Sequence, residues 1–280
     1  MTRAHILYEV AEGVAQITLN RPDRMNAMSY GPGSNAEEIS AALVQADADD
    51  AVGSVLVTAT GKAFCAGGNL AENAIPERAL EGHEFLEKVG RHRDAIRRMH
   101  KPVIAAVQGL CLGGGLGFIS QCDIVLAASD ARFGLVEGRF GAGGVAPVVR
   151  RIGSQWAKFL IFTGEMIDAR RAQRIGLVLE VIEAARLQER GFDLARRMAR
   201  LPREAALLNK ATVDAMEAAL AGNAEAAGRA GEVLTFSMIQ HARAADGRRF
   251  ADILREEGLP GLKAARDAQY TRPWLEDGDA

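Results

Sequence analysis

The sequence predicts an α/β fold with a helical C-terminal region. Short β-type runs alternate with helical stretches in the first part of the chain, which is the pattern of an α/β core. From about Glu183 onward, residues that favour helices replace the β signals, with long helices expected at Arg203 to Ala221 and Asn223 to Ala245. We therefore predict a core over residues 1–198 and a helical region over residues 199–280.

Five short runs carry the strand prediction. In chain order they are Ile6 to Val10, Val14 to Leu19, Ser54 to Thr58, Val103 to Val107 and Asp123 to Ala127. The run Val103 to Val107 has no polar alternation and follows Pro102, as expected of a strand that is covered on both faces. Residues near its carboxyl end are therefore expected to meet a ligand.

The composition is that of an ordinary soluble globular protein. Of 280 residues, 48% are hydrophobic and 25% are charged, and the formal net charge of −2 gives no sign of a nucleic-acid partner. No apolar run of about 18 residues occurs, and Met1 to Val10 does not read as a signal peptide, so we expect neither membrane insertion nor export. Cys65, Cys111 and Cys122 are odd in number and suit reduced thiols in the cytoplasm.

The most informative segment, Gly109 to Phe118, is rich in glycine and follows the predicted buried strand. Glycine has no Cβ, so a ligand can approach the main chain closely and the backbone can adopt positive φ. If a helix begins near Gly114, its first N–H groups lack intrahelical acceptors and favour a developing negative charge. A tight turn with close helix–strand packing is the alternative for any isolated glycine triplet.

A second glycine-containing segment, Gly61 to Leu70, comes after the predicted strand Ser54 to Thr58. Two amide-bearing turns could then converge on one oxygen atom, as an oxyanion site requires. Taken alone, Gly67 and Gly68 are consistent with an ordinary turn.

The sequence does not match the motifs of nucleotide-binding, hydrolase or metal-binding sites. A P-loop at Gly61 and Lys62 would require Ser or Thr in place of Ala63. The run Gly113 to Gly117 lacks the spacing of a dinucleotide fingerprint and contains no Gly-x-Ser-x-Gly. The five histidines form no HExxH motif and do not group with the cysteines at metal-ligand spacing, so no metal site is predicted.

An ordered set of segments extends along the chain. They are Ile17 to Pro22 with Met25 to Ala27, Lys62 to Leu70, Lys101 to Gly109, Gly113 to Gly115, Cys122 to Ile124, Phe133 to Glu137, Phe162 to Glu165, and Ala172 to Val178. With this order and spacing the chain resembles the enoyl-CoA hydratase/isomerase (crotonase) family from about Ile6 to Arg266. The resemblance implies a crotonase-like spiral of β-β-α turns, and a C-terminal region that supports a homotrimer, often as a dimer of trimers.

The resemblance also implies an acyl-CoA substrate and no separate cofactor, because the CoA group arrives with the substrate. In that family two backbone N–H groups bind the thioester oxygen, and the matching positions here are Gly68 and Gly114. The positions that match the substrate and CoA path are Met25, Ala27, Ala66, Gly67, Gly68, Asn69, Leu70, Gly113 and Gly114.

The carboxylates are where the chain departs from the hydratase pattern. Typical hydratases place one glutamate three residues after the middle glycine and a second in a Phe-Gly-x-x-Glu segment. The first position is Gly117 here, and the second is Glu137, which follows Val136 instead of the usual proline and precedes a shorter loop at Gly138 to Pro147. We expect Glu137 to be the catalytic acid/base, with its pKa raised in an apolar pocket; a surface carboxylate on a turn is the alternative.

A single glutamate favours double-bond isomerisation slightly over hydration, since isomerisation needs only one base. A side chain from Glu72 to Glu87, or Asn69, could position a water molecule and restore hydration. A non-catalytic acyl-CoA-binding scaffold is a further alternative, and so is a thioester hydrolase or C–C lyase on the same oxyanion site.

Overall fold

Two sheets and a set of helices make up the computed structural model, which describes residues 5–73, 76, 78–141, 143–144, 146–221, 228, 231–235 and 239–275. The strands are β1 Ile6–Ala11, β2 Val14–Leu19, β3 Ser54–Ala59, β4 Ala63–Cys65, β5 Val103–Val107, β6 Leu110–Leu112, β7 Ile124–Ala128, β8 Arg132–Gly134, β9 Met166–Asp168 and β10 Glu180–Ile182. The α-helices are α1 Asn35–Ala48, α2 Ala79–Arg97, α3 Gly114–Ile119, α4 Ala146–Thr163, α5 Ala169–Arg174, α6 Leu187–Met198, α7 Arg203–Ala221 and α8 Phe250–Asp267.

The chain alternates between the two sheets as it advances. The larger sheet has the order β1-β2-β3-β5-β7-β10, and the smaller has the order β4-β6-β8-β9. Three successive units, β3-β4-α2, β5-β6-α3 and β7-β8-α4, each add one strand to each sheet and then a helix. All pairs among β2, β3, β5, β7 and β10 are parallel. The predicted α/β spiral of β-β-α turns is therefore confirmed.

All five predicted strands are present, with ends that differ from the prediction by at most one residue. The strands of the smaller sheet were not predicted. Each has only three residues, which is too short to show the alternation by which a strand is recognised.

Helices dominate the chain after α6, as predicted, and α7 has the expected bounds Arg203–Ala221. The predicted helix Asn223 to Ala245 lies partly outside the described residues, and its end is wrong. Residues 239–241 form a 3-10 turn, after which Arg243 and Arg249 pair as a β-bridge. The side chain of Asp246 accepts a hydrogen bond from the backbone N–H of Arg248, so local bonding replaces the helical pattern. The division into residues 1–198 and 199–280 stays a prediction.

Two layers of apolar side chains hold the sheets in place. On one face of the larger sheet, Leu56, Ile104 and Leu126 pack with Leu187 and Ala195 of α6. The other face belongs to a larger core between the sheets and helices α1 to α4, which includes Phe64 of β4 and Phe118 of α3. The rings of Phe64 and Phe118 are 6.4 Å apart between centroids, and this packing fixes α3 against β4.

No helix in the described part of the chain is both long enough and apolar enough to cross a membrane.

Candidate active site

The two amide-bearing turns follow neighbouring strands of the smaller sheet. Each glycine-rich segment contains a short strand of its own, β4 in one and β6 in the other. These strands are parallel, so their carboxyl ends lie at the same edge of the sheet. Gly68 follows β4 and Gly114 follows β6, and the edge brings both residues together.

The backbones of Gly68 and Gly114 lie close to each other. A Cβ added at Gly114 would lie 3.6 Å from the amide nitrogen of Gly68. Gly114 is the first residue of α3, so its N–H has no intrahelical acceptor. Within the described ranges, neither N–H donates a hydrogen bond to another residue. Two such donors on adjacent turns can bind one oxygen atom and stabilise charge that develops on it.

Backbone geometry explains why two of the glycines in these turns cannot be replaced freely. Gly67 has a φ of 102° and Gly113 has a φ of 48°, a region that favours glycine. A Cβ on Gly67 would also lie 3.3 Å from the carbonyl oxygen of Leu112. The two turns therefore approach each other more closely than side chains would allow.

Glu137 brings a carboxyl group to the second turn. It lies in the 3-10 turn Val136–Phe140, just after β8. The carbonyl oxygen of Gly134, at the end of β8, accepts a 2.9 Å hydrogen bond from the N–H of Gly113. A Cβ added at Gly113 would lie 2.9 Å from Oε2 of Glu137. The carboxyl group is thus in contact with the turn that carries Gly114.

The environment of Glu137 favours its neutral form. Oε2 is buried and has no hydrogen-bond partner among the described residues. Burial raises the pKa of Glu137 to about 7, against the opposing effects of its own backbone amide and the positive charge of Arg93. A carboxyl group with a pKa near neutrality is well matched to accepting and returning a proton.

All of the predicted site residues line one cavity of about 370 Å³. They are Met25, Ala27, Ala66, Gly67, Gly68, Asn69, Leu70, Gly113, Gly114 and Glu137. The structure brings these positions together, while their individual roles stay predictions. In the part of the chain that is described, no three His, Cys, Asp or Glu side chains are grouped as metal ligands.

Other residues of the cavity carry no motif and were missed. Among them are Tyr30, Phe85, Leu86, Val89, Arg93, Phe140, Glu232, Lys263 and Arg266. One signal was available, because positions 85, 89 and 93 recur at helical spacing along one face of α2. The others come from distant segments that only the folded chain brings to the site.

Arg93 occupies the space beside Gly117, the position where typical hydratases resembling this chain have a glutamate. Gly117 is buried in α3. A Cβ added there would lie 2.7 Å from Nη2 of Arg93. The missing carboxylate is therefore replaced in space by a cation from another helix.

A polar network holds the turn that carries Gly68. Asn69 donates its N–H to the carbonyl oxygen of Met28 at 2.8 Å. Its side-chain amide donates to Ser29 Oγ at 3.4 Å, and its Oδ1 accepts from the N–H of Ala71 at 3.1 Å. Both ends of the Asn69 side chain are thus engaged by the turn itself, which argues against the expectation that it positions a water molecule.

Glu72 anchors the same network. Its carboxylate accepts a 2.7 Å bond from Nη2 of Arg21 and another bond from the hydroxyl of Ser29. These two donors, Arg21 first, lower the pKa of Glu72 to about 2. Glu72 therefore stays ionised. Its carboxylate holds the turn in place and is not suited to transfer protons in the cavity.

Comparisons with known proteins indicate the family of the chain. The sequence profile of the enoyl-CoA hydratase/isomerase family matches residues 9–256. A probable enoyl-CoA hydratase of Rhizobium meliloti (strain 1021) is 32% identical over 280 aligned positions, which cover 96% of this chain and 99% of the relative.

Solved structures give the same result. An enoyl-CoA hydratase/isomerase from Xanthobacter autotrophicus Py2 matches with a TM-score of 0.85 and 33% identity, over 97% of this chain and 100% of that chain. A monofunctional enoyl-CoA isomerase from M. smegmatis matches with a TM-score of 0.64 and 32% identity, over 77% of this chain and 94% of that chain. The chain therefore belongs to the enoyl-CoA hydratase/isomerase family.

Proposed function

We propose that the protein isomerises the double bond of an enoyl-CoA thioester, with Glu137 as the acid/base and Gly68 and Gly114 as donors to the thioester oxygen. The observation that carries this proposal is that one buried carboxyl group lies at Gly113 while an arginine takes the place of a second acid at Gly117. One base is sufficient for isomerisation.

The reaction moves a single proton. Glu137 removes a proton from C2 of a 3-enoyl-CoA, and the electron pair of that C–H bond enters the C1–C2 bond. The thioester oxygen takes up negative charge, which the N–H groups of Gly68 and Gly114 stabilise; loss of one such donor typically raises the barrier by about 3 kcal/mol. When Glu137 returns the proton to C4, the double bond lies between C2 and C3 and the carboxylate is restored.

The apolar side of the cavity suits this chemistry. Tyr30 and Phe85 meet edge to face with ring centroids 5.6 Å apart, and Leu86 and Val89 continue the wall. A site with few water molecules strengthens the bonds to the enolate oxygen and keeps the proton on Glu137 between the two steps.

We propose further that no cofactor takes part besides the CoA of the substrate, and that the chain forms a homotrimer or a dimer of trimers in the cytoplasm. Exposed apolar side chains of α7, among them Leu208, Val213 and Met216, support an interface there, because each exposes more than half of its surface. Sedimentation of the full chain should give the mass of a trimer or of a hexamer. A monomer at micromolar concentration would contradict the assembly.

The test compares two reactions of one enzyme. We expect the protein to convert 3-hexenoyl-CoA faster than it hydrates 2-hexenoyl-CoA, and to exchange the C2 protons of its substrate in heavy water. Glu137→Gln retains the shape of the side chain without the base, so this exchange should be lost. Glu84→Gln, at an exposed position of α2, is the matched control and should exchange at the wild-type rate. Exchange that persists in Glu137→Gln would remove Glu137 from the mechanism.

Hydration is the second candidate, because the cavity contains another buried carboxylate. Glu232 is 7% exposed and lines the same cavity, and its charge contributes to the raised pKa of Glu137. The Rhizobium meliloti relative is also named a probable enoyl-CoA hydratase. Rapid formation of 3-hydroxyhexanoyl-CoA with negligible isomerisation, together with its loss in Glu232→Gln, would favour this reaction over the first.

A further inference from the structure

Arg93 carries a positive charge into an otherwise apolar wall of the candidate active site. Phe85, Leu86, Val89 and Arg93 lie on the face of α2 that lines the cavity. The first three are apolar and fit a hydrocarbon chain. Binding cavities of this kind usually have few polar groups, and those few set which ligand is accepted. The cation at the end of this wall therefore bears on the choice of substrate.

The described part of the protein gives this cation no direct hydrogen-bond or ion-pair partner. In the ranges that the structure describes, no hydrogen bond or ion pair within 4.0 Å involves the Arg93 guanidinium. Glu137 does not take that role, because its Oε2 has no hydrogen-bond partner within the same ranges. The positive charge of Arg93 lowers the pKa of Glu137 against the effect of burial, but the two side chains form no ion pair within the described ranges. A partly buried cation without a partner is costly, and a bound anion would offset that cost.

Gly117 makes room for the guanidinium one helical turn away from Gly114, the proposed donor to the thioester oxygen. With no side chain at position 117, Nη2 of Arg93 reaches to 2.7 Å from the point where a Cβ would be. Gly117 lies three residues after Gly114 on α3, and three residues advance an α-helix by ~4.5 Å. An acyl chain whose thioester oxygen is bound at Gly114 needs only a few carbon atoms to span that distance.

We propose that Arg93 binds a carboxylate on the acyl chain of the substrate, so that the preferred thioesters are short enoyl-CoA esters with a second, free carboxyl group. The planar guanidinium presents paired N–H donors that match the two oxygens of a carboxylate. This inference rests on the proposed binding of an enoyl-CoA thioester, and it specifies the class of acyl group.

A matched pair of six-carbon substrates tests the proposal. 3-Hexenedioyl-CoA ends in a carboxylate and 3-hexenoyl-CoA ends in a methyl group. Hydrogen bonds to charged groups are strong enough that we expect kcat/KM to favour the carboxylated ester by roughly 10- to 100-fold. In Arg93→Met the ratio of the two kcat/KM values should fall to about one, and Arg93→Lys should retain part of it. Arg91→Met, on the same helix at an exposed position, should leave the ratio unchanged.

Binding measurements make the result independent of turnover. Equilibrium competition should give a lower Kd for the carboxylated ester than for its methyl-terminated partner, and Arg93→Met should remove the difference. If neither ester reacts or exchanges its C2 protons, the proposed isomerase function fails, while the Kd comparison still decides the role of Arg93. Equal Kd values in the wild-type protein would overturn the proposal. So would an equal loss of affinity for CoA alone in Arg93→Met, because the arginine would then contact the CoA phosphates.

Discussion

Gly113 and Glu137 are in direct contact, because a Cβ on Gly113 would lie 2.9 Å from Oε2 and 3.2 Å from Oε1 of Glu137. The positive φ of 48° at Gly113 adds backbone strain to any substitution there. The carboxyl group thus occupies a place that exists only because position 113 has no side chain.

We predict that Gly113→Ala displaces the Glu137 carboxyl group and lowers kcat by roughly 100-fold, the size of effect that a misplacement of about 1 Å can produce. Steady-state kinetics with 3-hexenoyl-CoA measures the change, and circular dichroism checks folding. Gly90→Ala in α2 is the control, since a Cβ there would meet nothing within 4 Å. Wild-type kcat in a folded Gly113→Ala protein would show that this contact has no part in catalysis.

Activity should rise with pH around neutrality. Burial raises the pKa of Glu137 to about 7, so below this pH the group is mostly protonated and cannot act as a base. We expect kcat/KM for 3-hexenoyl-CoA to increase about tenfold per pH unit below the pKa and to level off above it. A pH series from about 5.5 to 8.5 measures the profile. A flat profile over this range would mean that the base has an ordinary carboxyl pKa or is a different group.

Much of the site could be predicted because it depends on residue types that are recognisable in the sequence itself. The roles proposed for Gly68 and Gly114 depend on backbone atoms, and a glycine-rich turn is visible in the sequence without knowledge of packing. Glu137 was found through its place after Phe133 and Gly134, and the structure locates it beside Gly113. The residues whose backbone atoms form the site therefore lie in short segments that can be recognised in the sequence.

What could not be predicted depends on contacts between distant segments. The side chain of Arg93 on α2 reaches the space beside Gly117 of α3, and nothing near either residue in the sequence indicates this proximity. Glu232 reaches the cavity from the C-terminal region, where composition alone predicts helix. The same composition led to a helix that extends to Ala245, whereas residues 239–241 form a 3-10 turn and Arg243 pairs with Arg249 as a β-bridge. Local propensity does not report such pairing between separate positions.

The ion pair between Arg21 and Glu72, close to the turn that carries Gly68, should matter for turnover. Glu72 accepts bonds from Arg21 and Ser29, and Asn69 of the turn also bonds to Ser29. We predict that Glu72→Gln loosens the turn that carries Gly68 and lowers kcat by roughly tenfold, with a smaller change in KM. The side chain of Arg21 is only 12% exposed, so the loss of its counter-charge should also destabilise the fold by about 1–3 kcal/mol.

Kinetics together with urea denaturation measures both effects of Glu72→Gln. Because the pKa of Glu72 is about 2, the carboxylate stays charged near neutral pH, and its removal should leave the shape of the pH profile unchanged. Glu180→Gln breaks an exposed ion pair with Arg190 and is the matched control, with an expected change in stability below about 1 kcal/mol. Equal kinetics in Glu72→Gln and Glu180→Gln would rule out a role in positioning the turn.

A carboxylate at position 117 should compete with the substrate for Arg93. The atom nearest to a Cβ on Gly117 is Nη2 of Arg93 at 2.7 Å, which is the far end of a flexible side chain and can shift. We predict that Gly117→Glu forms an ion pair with Arg93 and lowers the preference for 3-hexenedioyl-CoA over 3-hexenoyl-CoA to about one or below. Gly117→Ala adds bulk without charge, so it should retain a preference for the carboxylated ester.

If Gly117→Glu discriminates between the two esters as well as the wild-type protein does, the guanidinium is not the group that the substrate carboxylate contacts. If Gly117→Ala loses the preference as fully as Gly117→Glu, displacement of Arg93 accounts for the loss, and charge neutralisation does not.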